Sequence, residues 1–188
     1  MLKLLHISDL HFGPPYRDHV GQAVLKLAPT LGFDVIVASG DFTQRVKATQ
    51  FIAAREFLDQ LPDVPKIVVP GNHDVPLYRV HERLFDPLGL YRKHISSELN
   101  RVWKVDGAIF VGLDSTAPHT AISNGRILSE QLEFCQQAFS SADDDTIRVV
   151  VAHHPFAMPS DKERDRMMPK AQRAMKQFVE SRVELVLG

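Results

Sequence analysis

Four short polar clusters in the sequence contain side chains that can bind metal ions or transfer protons. The clusters read DLH, GD, GNHD and HH, and their polar members are Asp9, His11, Asp41, Asn72, His73, Asp74, His153 and His154. Carboxylates combined with imidazoles suit transition metals such as Mn, Fe, Zn or Co, whereas a calcium site would use oxygen ligands alone. The clusters therefore predict a transition-metal site with proton-transferring groups beside it.

Each cluster directly follows a short apolar run that is typical of a buried β-strand. Such runs occur at residues 2–7, 34–39, 66–70, 108–113, 147–152 and 183–188. Helical patterns cover roughly residues 18–31, 47–60, 129–140 and 168–181, and residues 101–105 form a predicted hairpin with 108–113. This alternation of strands and helices predicts an α/β fold in a single domain over residues 1–188.

The positions of the clusters at strand ends explain how residues far apart in the chain can meet. In parallel or mixed sheets, functional residues lie in loops beyond the carboxyl ends of the strands, at one edge. Taken alone, each cluster is also compatible with a turn or a helix cap, because Asp, Asn and Gly favour such positions. Their joint occurrence after four predicted strands favours a functional site.

Composition and charge exclude several classes of protein. The chain has 188 residues with a net charge of −1, so no basic excess points to nucleic acid or anionic lipid. No apolar run approaches the roughly 20 residues that a membrane helix needs. The single Cys135 cannot form an internal disulfide, and His6, Asp9 and His11 interrupt the N-terminus before a signal-peptide core could develop. We expect a cytoplasmic protein, and the sequence leaves homo-oligomerisation open.

The sequence resembles the calcineurin-like metallophosphoesterases. DLH, GD, GNHD and HHP match, in order, the first four signature blocks of that family, and the resemblance extends from residue 2 to residue 188. It implies a sandwich of two mixed β-sheets flanked by α-helices. Within the family, GLDS at 112–115 and VVVAHHP at 149–155 are most similar to the branch that contains cyclic-nucleotide and glycerophosphodiester phosphodiesterases.

The resemblance also implies a ligand set for two divalent or trivalent transition-metal ions. The implied ligands are Asp9, His11, Asp41, Asn72 and His153. Asp9 and His11 would bind the first ion, Asn72 and His153 the second, and Asp41 would bridge both. His153 is preferred to His154 because the family pattern is H-x-P, which Pro155 completes. The same ligands serve Mn, Fe, Zn and Co, so the identity of the metal stays open.

For catalysis, the resemblance implies that His73 donates a proton to the leaving oxygen while Asp74 orients its ring. Helix capping is the alternative role for Asp74. The implied reaction is hydrolysis of a small organic phosphodiester by a metal-bridging hydroxide that attacks phosphorus. Two alternatives remain: a nuclease of the same superfamily, against which the near-neutral charge weighs, and a scaffold that keeps this fold for protein contacts.

The end of the sequence departs from the family pattern. The fifth block, Gly-His-x-His, is absent, because the chain stops at Gly188 directly after the last predicted strand. We therefore expect a fold without its C-terminal strands and weaker metal binding than in a complete family member. Outside the blocks, His119 is the histidine expected nearest the pocket. Arg164 and Arg166, in the mixed-charge stretch DKERDR, are interpreted as solvated surface residues.

Overall fold

A computed structural model describes residues 1–120, 124–157 and 168–188, so Arg164 and Arg166 lie outside the described residues. The described strands are β1 Leu4–Ile7, β2 Val35–Ser39, β3 Lys66–Val69, β4 Arg101–Val105, β5 Ala108–Gly112, β6 Ile147–Val151 and β7 Leu185–Leu187. The described helices are α1 Asp18–Leu31, α2 Ala48–Gln60, α3 Val80–Phe85, α4 Gly89–His94, α5 Ser129–Phe139 and α6 Ala171–Glu180. All six predicted strands and the hairpin strand β4 are present, and the six are shorter at their ends than predicted.

The strands form two sheets. The first has the order β1-β2-β3 and is parallel throughout its described strands. The second has the order β4-β5-β6-β7, with β4 antiparallel to β5 and the remaining pairs parallel. The antiparallel pair is the predicted hairpin, which turns at Asp106 and Gly107. Because β1, β2, β3, β5 and β6 lie in parallel ladders, their carboxyl ends share an edge in each sheet.

The two sheets pack face to face, and helices cover their outer faces. The core between the sheets contains Val35, Val37, Ile67, Val69, Ala108, Phe110, Val149 and Val151. The intervening residues Ile36, Ala38 and Val68 pack in a second cluster with residues of α1, α2 and α4. Ile109, Val111 and Val150 pack in a third cluster with residues of α5 and α6. The central strands are thus buried on both faces, which is why they read as continuous apolar runs.

The helices differ from the sequence predictions at three points. Helices α3 and α4 were not predicted, because each has six residues and buries at most Tyr91, too little for a helical period to show. Helix α6 begins at Ala171 rather than at 168. Lys170 has a φ of 65°, a left-handed conformation that cannot continue an α-helix. In the described ranges, no helix is long and apolar enough to cross a membrane.

Candidate metal centre

The polar clusters after β1 and β2 are held side by side by backbone hydrogen bonds. The Asp9 N–H donates to the Gly40 carbonyl at 3.2 Å, and the His11 N–H donates to the Asp41 carbonyl at 2.9 Å. Asp9, His11 and Asp41 have φ angles of 56°, 50° and 54°, in the left-handed region that side chains other than glycine rarely adopt. Such strain persists where the surroundings over-determine the backbone, and it is concentrated at functional sites.

Asp41 lies at the middle of the cluster and is only 3% exposed. Its Oδ2 atom is 3.5 Å from Nε2 of His11, while its Oδ1 atom is 3.4 Å from Nε2 of His153. Two groups of three residues each offer ligand atoms that lie within 4.8 Å of one another inside the group. The first group is His11, Asp41 and His73, and the second is Asp9, Asp41 and His153. Asp41 belongs to both groups with one oxygen towards each histidine, which is the arrangement that a carboxylate needs to bridge two cations.

The orientation of the His153 ring is set by the backbone. Its Nδ1 atom lies 2.8 Å from the Ser39 carbonyl oxygen, which can only accept, so Nδ1 carries the proton. In the neutral ring, Nε2 then presents a lone pair to Oδ1 of Asn72 at 3.0 Å and to Oδ1 of Asp41 at 3.4 Å. Three lone-pair-bearing atoms that face each other repel unless a cation lies among them. The donor set therefore fits a metal ion, with the Ser39 carbonyl as the outer partner of its histidine.

Asp9 forms the more open side of the centre. Its side chain is 54% exposed, its Oδ1 atom lies 3.5 Å from Nε2 of His11, and its Oδ2 atom accepts a hydrogen bond from the Ser8 hydroxyl. By distance, Asp9 is close to His11, with which it was predicted to share an ion, and it also groups with Asp41 and His153. The structure thus brings the five predicted ligands together, while their division between two ions stays a prediction.

His73 lies beside these ligands on the first turn after β3. Its backbone N–H donates to Oδ1 of Asp41 at 2.7 Å, and its ring packs edge-on against His11 with ring centroids 4.6 Å apart. Its Nδ1 atom lies 3.2 Å from the Gln44 carbonyl oxygen, so Nδ1 donates there and Nε2 is the nitrogen that can exchange a proton. The distances alone would also allow His73 to act as a ligand beside His11 and Asp41.

The expected contact of Asp74 with the His73 ring is absent from the described hydrogen bonds. The Asp74 carboxylate instead accepts backbone N–H groups from Gly71 at 3.0 Å, Phe42 at 3.2 Å and Thr43 at 3.0 Å. Residues 72–74 form a single 3-10 turn, in which successive side chains diverge by about 120°, so neighbouring side chains point apart. The Gln44 carbonyl therefore orients His73, and Asp74 caps its own turn and binds the neighbouring loop.

The Asp74 carboxyl is fully buried. Its pKa is raised to about 7, chiefly because burial disfavours the charged form. The backbone N–H of Gly71 opposes this rise, the nearby Asp41 adds to it, and the N–H groups of Phe42 and Thr43 oppose it further. The three donors offset only part of the cost of burying this carboxylate.

Two glycines allow the loops to approach this closely. A Cβ atom on Gly71 would lie 2.2 Å from Oδ1 of Asp41 and 2.3 Å from its backbone nitrogen. A Cβ atom on Gly40, whose φ is 89°, would lie 2.7 Å from Nδ1 of His153. The glycines of GD and GNHD are therefore required by contacts between loops as well as by local turns.

The remaining histidines lie outside the cluster. His154 is buried, with its Nδ1 atom 2.8 Å from the Ser115 hydroxyl and its backbone N–H donating to the same oxygen at 3.1 Å. His153, rather than His154, is thus the histidine beside Asp41. His119 is exposed in the loop after β5. His6 contacts the Ser39 hydroxyl through Nε2 at 2.8 Å, and burial lowers its pKa.

A cavity of about 860 Å³ adjoins the centre, and its cationic lining was not anticipated from the sequence. Asn72 and His73 form part of its lining, together with four cationic side chains, Arg45, Lys47, Arg79 and Arg83. Their positions in the sequence could have indicated this lining. Arg45 and Lys47 follow the GD cluster within six residues, and Arg79 and Arg83 follow GNHD within nine. Residues just after a ligand cluster at a strand end are well placed to border the same crevice.

Comparison with known proteins agrees with this fold and shows the family of the chain. A sequence model of the calcineurin-like phosphoesterase family matches residues 2–188, and the chain therefore belongs to that family. Its relatives are metal-dependent phosphoesterases that typically hold two metal ions, and the clustered residues here are candidate ligands for them. No curated protein sequence matches the chain.

Three solved structures show the fold in other proteins. A purple acid phosphatase from yellow lupin seeds has a TM-score of 0.67 at 14% identity, covering 98% of this chain and 37% of that one. A dimetal phosphatase from Danio rerio has a TM-score of 0.61 at 13% identity, and the match covers 95% of this chain and 77% of that one. GAP50 of Plasmodium, described as the anchor in the inner membrane complex, has a TM-score of 0.59 at 14% identity. That match covers 98% of this chain and 64% of that one. This chain thus spans little more than a third of the lupin protein.

Proposed function

We propose that this chain is a binuclear-metal phosphoesterase that hydrolyses small organic phosphodiesters. The observation that carries the proposal is the position of Asp41, whose two oxygens face His11 and His153 at 3.5 and 3.4 Å. A phosphodiester is preferred to a monoester because of the GLDS and VVVAHHP stretches. Membership of the phosphoesterase family supports the coarser part of the proposal.

The protein's part in metal binding is to present lone pairs at fixed positions. Asp41 is held by the His73 N–H, and His153 donates from Nδ1 to the Ser39 carbonyl, which raises the basicity of Nε2. Asp9, His11 and Asn72 complete the proposed ligand set. When bound, two such ions lower the pKa of a coordinated water and offset negative charge on the phosphoryl group. Mn, Fe, Zn and Co all suit these nitrogen and oxygen ligands.

His73 is proposed as the general acid. The Gln44 carbonyl holds the proton on Nδ1, so the proton that moves to the leaving oxygen is carried on Nε2 of the imidazolium. The N–H of His73 on Asp41 and the ring contact with His11 fix its position relative to the ligands. A positioned general acid contributes about 10² to 10⁴ in rate. Asp74 supports this role indirectly, by holding the turn that carries His73.

The test is Mn²⁺-dependent hydrolysis of bis(p-nitrophenyl) phosphate, with bound metal measured in the same samples. The unmodified chain, a metal-free sample and the His73→Ala variant are compared, and His19→Ala, an exposed histidine of α1, is the matched control. We expect turnover that requires metal, falls about a hundredfold or more in His73→Ala, and is unchanged in the control. The metal content should be the same in all the loaded samples.

Other outcomes would redirect the assignment. Loss of metal together with turnover in His73→Ala would make His73 a ligand rather than an acid. Full metal binding without turnover of any phosphoester would favour the scaffold function. The nuclease alternative has one supporting observation, the cationic side chains beside His73, and a single-stranded oligonucleotide substrate tests it directly. Faster cleavage of the oligonucleotide than of the small diester would favour a nuclease.

A further inference from the structure

The cavity beside His73 is large and one-sided in charge. Its volume is about 860 Å³, within the range of roughly 300–1,000 Å³ that is usual for small-molecule sites. Arg45, Lys47, Arg79 and Arg83 line it, and among the described residues no carboxylate side chain does. Such a cavity attracts an anion with an organic body rather than a bare inorganic ion.

Two of the four cations are held rigidly in the cavity wall. Arg83 donates from Nε to the Pro118 carbonyl at 2.5 Å and from Nη2 to the Thr120 carbonyl at 2.9 Å. Arg79 donates from Nη2 to the Val46 carbonyl at 2.6 Å. Carbonyl oxygens orient a guanidinium without neutralising it, so these contacts fix the positions of the charges and preserve them.

The remaining charge balance is positive. Glu82 lies 3.1 Å from Nη1 of Arg79 and offsets part of that charge. Arg45 and Lys47 are exposed, and neither side chain forms an ion pair with any residue in the described part of the chain. At the same cavity, Leu77 and Tyr78 are 49% and 78% exposed, which leaves apolar surface available for an organic group.

The position of His73 decides which part of a substrate enters this cavity. In an in-line displacement, the attacking and leaving oxygens lie on opposite sides of phosphorus. The general acid must contact the leaving oxygen, so the leaving group lies on the side of His73. A second cavity of about 550 Å³ is lined by Asp9 and His153 but not by His73. The two cavities therefore separate the leaving-group side of the centre from its other side.

We propose that the cavity beside His73 binds the leaving group, and that its cations select a leaving group with its own negative charge on an apolar or aromatic body. The proposal rests on the phosphodiesterase function proposed above. In the reaction, the phosphorus–oxygen bond to the leaving group breaks and a bond from water to phosphorus forms. The attacking water gives up a proton to solvent, and the leaving oxygen receives one from His73 and departs as an alcohol or phenol. His73 then regains a proton from solvent.

The test compares two substrates that differ only in leaving-group charge. These are the 4-carboxyphenyl and 4-carbamoylphenyl esters of methyl phosphate, which release an anionic and a neutral phenol of similar shape. The measured quantity is the ratio of kcat/KM for the first substrate to that for the second. The variants are Arg45→Gln/Lys47→Gln and, as the matched control, Lys93→Gln/Lys104→Gln, which removes two exposed cations outside the cavity. Circular dichroism checks the fold of each.

We expect the ratio to fall about tenfold in Arg45→Gln/Lys47→Gln and to stay unchanged in the control. Turnover of both esters with the same ratio in every sample would overturn the proposal and leave the phosphodiesterase function standing. If neither ester is hydrolysed, the proposed function fails. Binding of the free phenols then tests whether the cavity selects an anionic ligand. Tighter binding of 4-hydroxybenzoate than of 4-hydroxybenzamide, lost in the cavity variant, supports the cavity's selectivity, and equal binding contradicts it.

Discussion

The backbone N–H of Thr43 donates to Oδ1 of the buried Asp74 at 3.0 Å, which joins the loop after β2 to the loop after β3. The Thr43 hydroxyl returns a hydrogen bond to the His73 carbonyl at 2.9 Å. The loop that carries Asp41 and the turn that carries His73 are therefore joined by a reciprocal pair of contacts, in addition to the hydrogen bond from the His73 N–H to Asp41. Their relative position depends on the side chain of Asp74, which is fully buried and accepts three backbone N–H groups.

Replacing Asp74 with asparagine should destabilise the protein and disturb the position of His73. An amide can accept through only one of its two polar atoms, so at least one of the N–H groups of Gly71, Phe42 and Thr43 loses its partner. Loss of a buried hydrogen bond to a carboxylate costs about 1.5–3 kcal/mol, and the neutral amide recovers part of this because it removes the cost of burying a charge. Denaturant unfolding measures the net cost. Asp59→Asn, which breaks an exposed pair with Arg55, is the control and should cost under about 1 kcal/mol.

Replacing Asp41 with asparagine should weaken both of the proposed metal sites together. The neutral amide keeps the shape of the carboxylate but loses the charge that offsets the repulsion between two cations about 3.5–4 Å apart. Metal analysis after dialysis against Mn²⁺ should show bound metal falling from about two ions per chain to one or fewer. Asp106→Asn, at the exposed hairpin turn, should leave the content unchanged. Retention of both ions would show that Asp41 is not the bridge.

Replacing Gly71 with alanine should abolish metal binding, because the added Cβ would overlap Asp41. The nearest atoms, at 2.2 and 2.3 Å, are the carboxylate oxygen and the backbone nitrogen of Asp41, so the loops must separate. Gly32→Ala is the matched control. A Cβ there meets nothing within 4 Å, and its φ of 61° costs about 1–2 kcal/mol in stability while metal binding stays intact. Isothermal titration calorimetry with Mn²⁺ distinguishes the two variants. Normal Mn²⁺ binding by Gly71→Ala would contradict the close approach of Gly71 to Asp41.

Cys135 should be inert to thiol reagents while the protein is folded. It lies on the buried face of α5, and burial raises the pKa of its thiol to about 12. The reactive thiolate is the form that exists above the pKa, so at pH 8 only about one thiol in ten thousand is ionised. Reaction with dithiobis-nitrobenzoate should be slow in buffer and fast in denaturant. Complete labelling of the native protein within minutes would contradict the buried position of Cys135.

The sequence predicted the positions of the strands along the chain well, and the side chains proposed for the site lie close together in the structure. Strands β2, β3, β5 and β6 are buried between a sheet and a helix layer, so their residues form unbroken apolar runs that stand out from their surroundings. Helices α3 and α4 could not be predicted in the same way. They are too short for a period to appear, and contacts such as the burial of Tyr91 decide their conformation.

The residues that gather at the centre were likewise visible in the sequence, but their contacts were not. Asp74 was expected to orient His73, because the resemblance to the family implied that role. In the structure, the carbonyls of Gln44 and Ser39 orient His73 and His153. Every residue has a backbone carbonyl, so residue type does not indicate which carbonyls orient a histidine ring.

The sequence by itself determined which residue types stand at the ends of successive strands, because strand burial and the abrupt change to polar residues are local patterns. Only the tertiary structure decided which nitrogen of His153 faces Asp41, which loop Asp74 binds, and that Arg45 and Arg83 line one cavity. These contacts join segments that are separated by 30 to more than 100 residues. Their geometry follows from how two sheets pack, which no short stretch of sequence encodes.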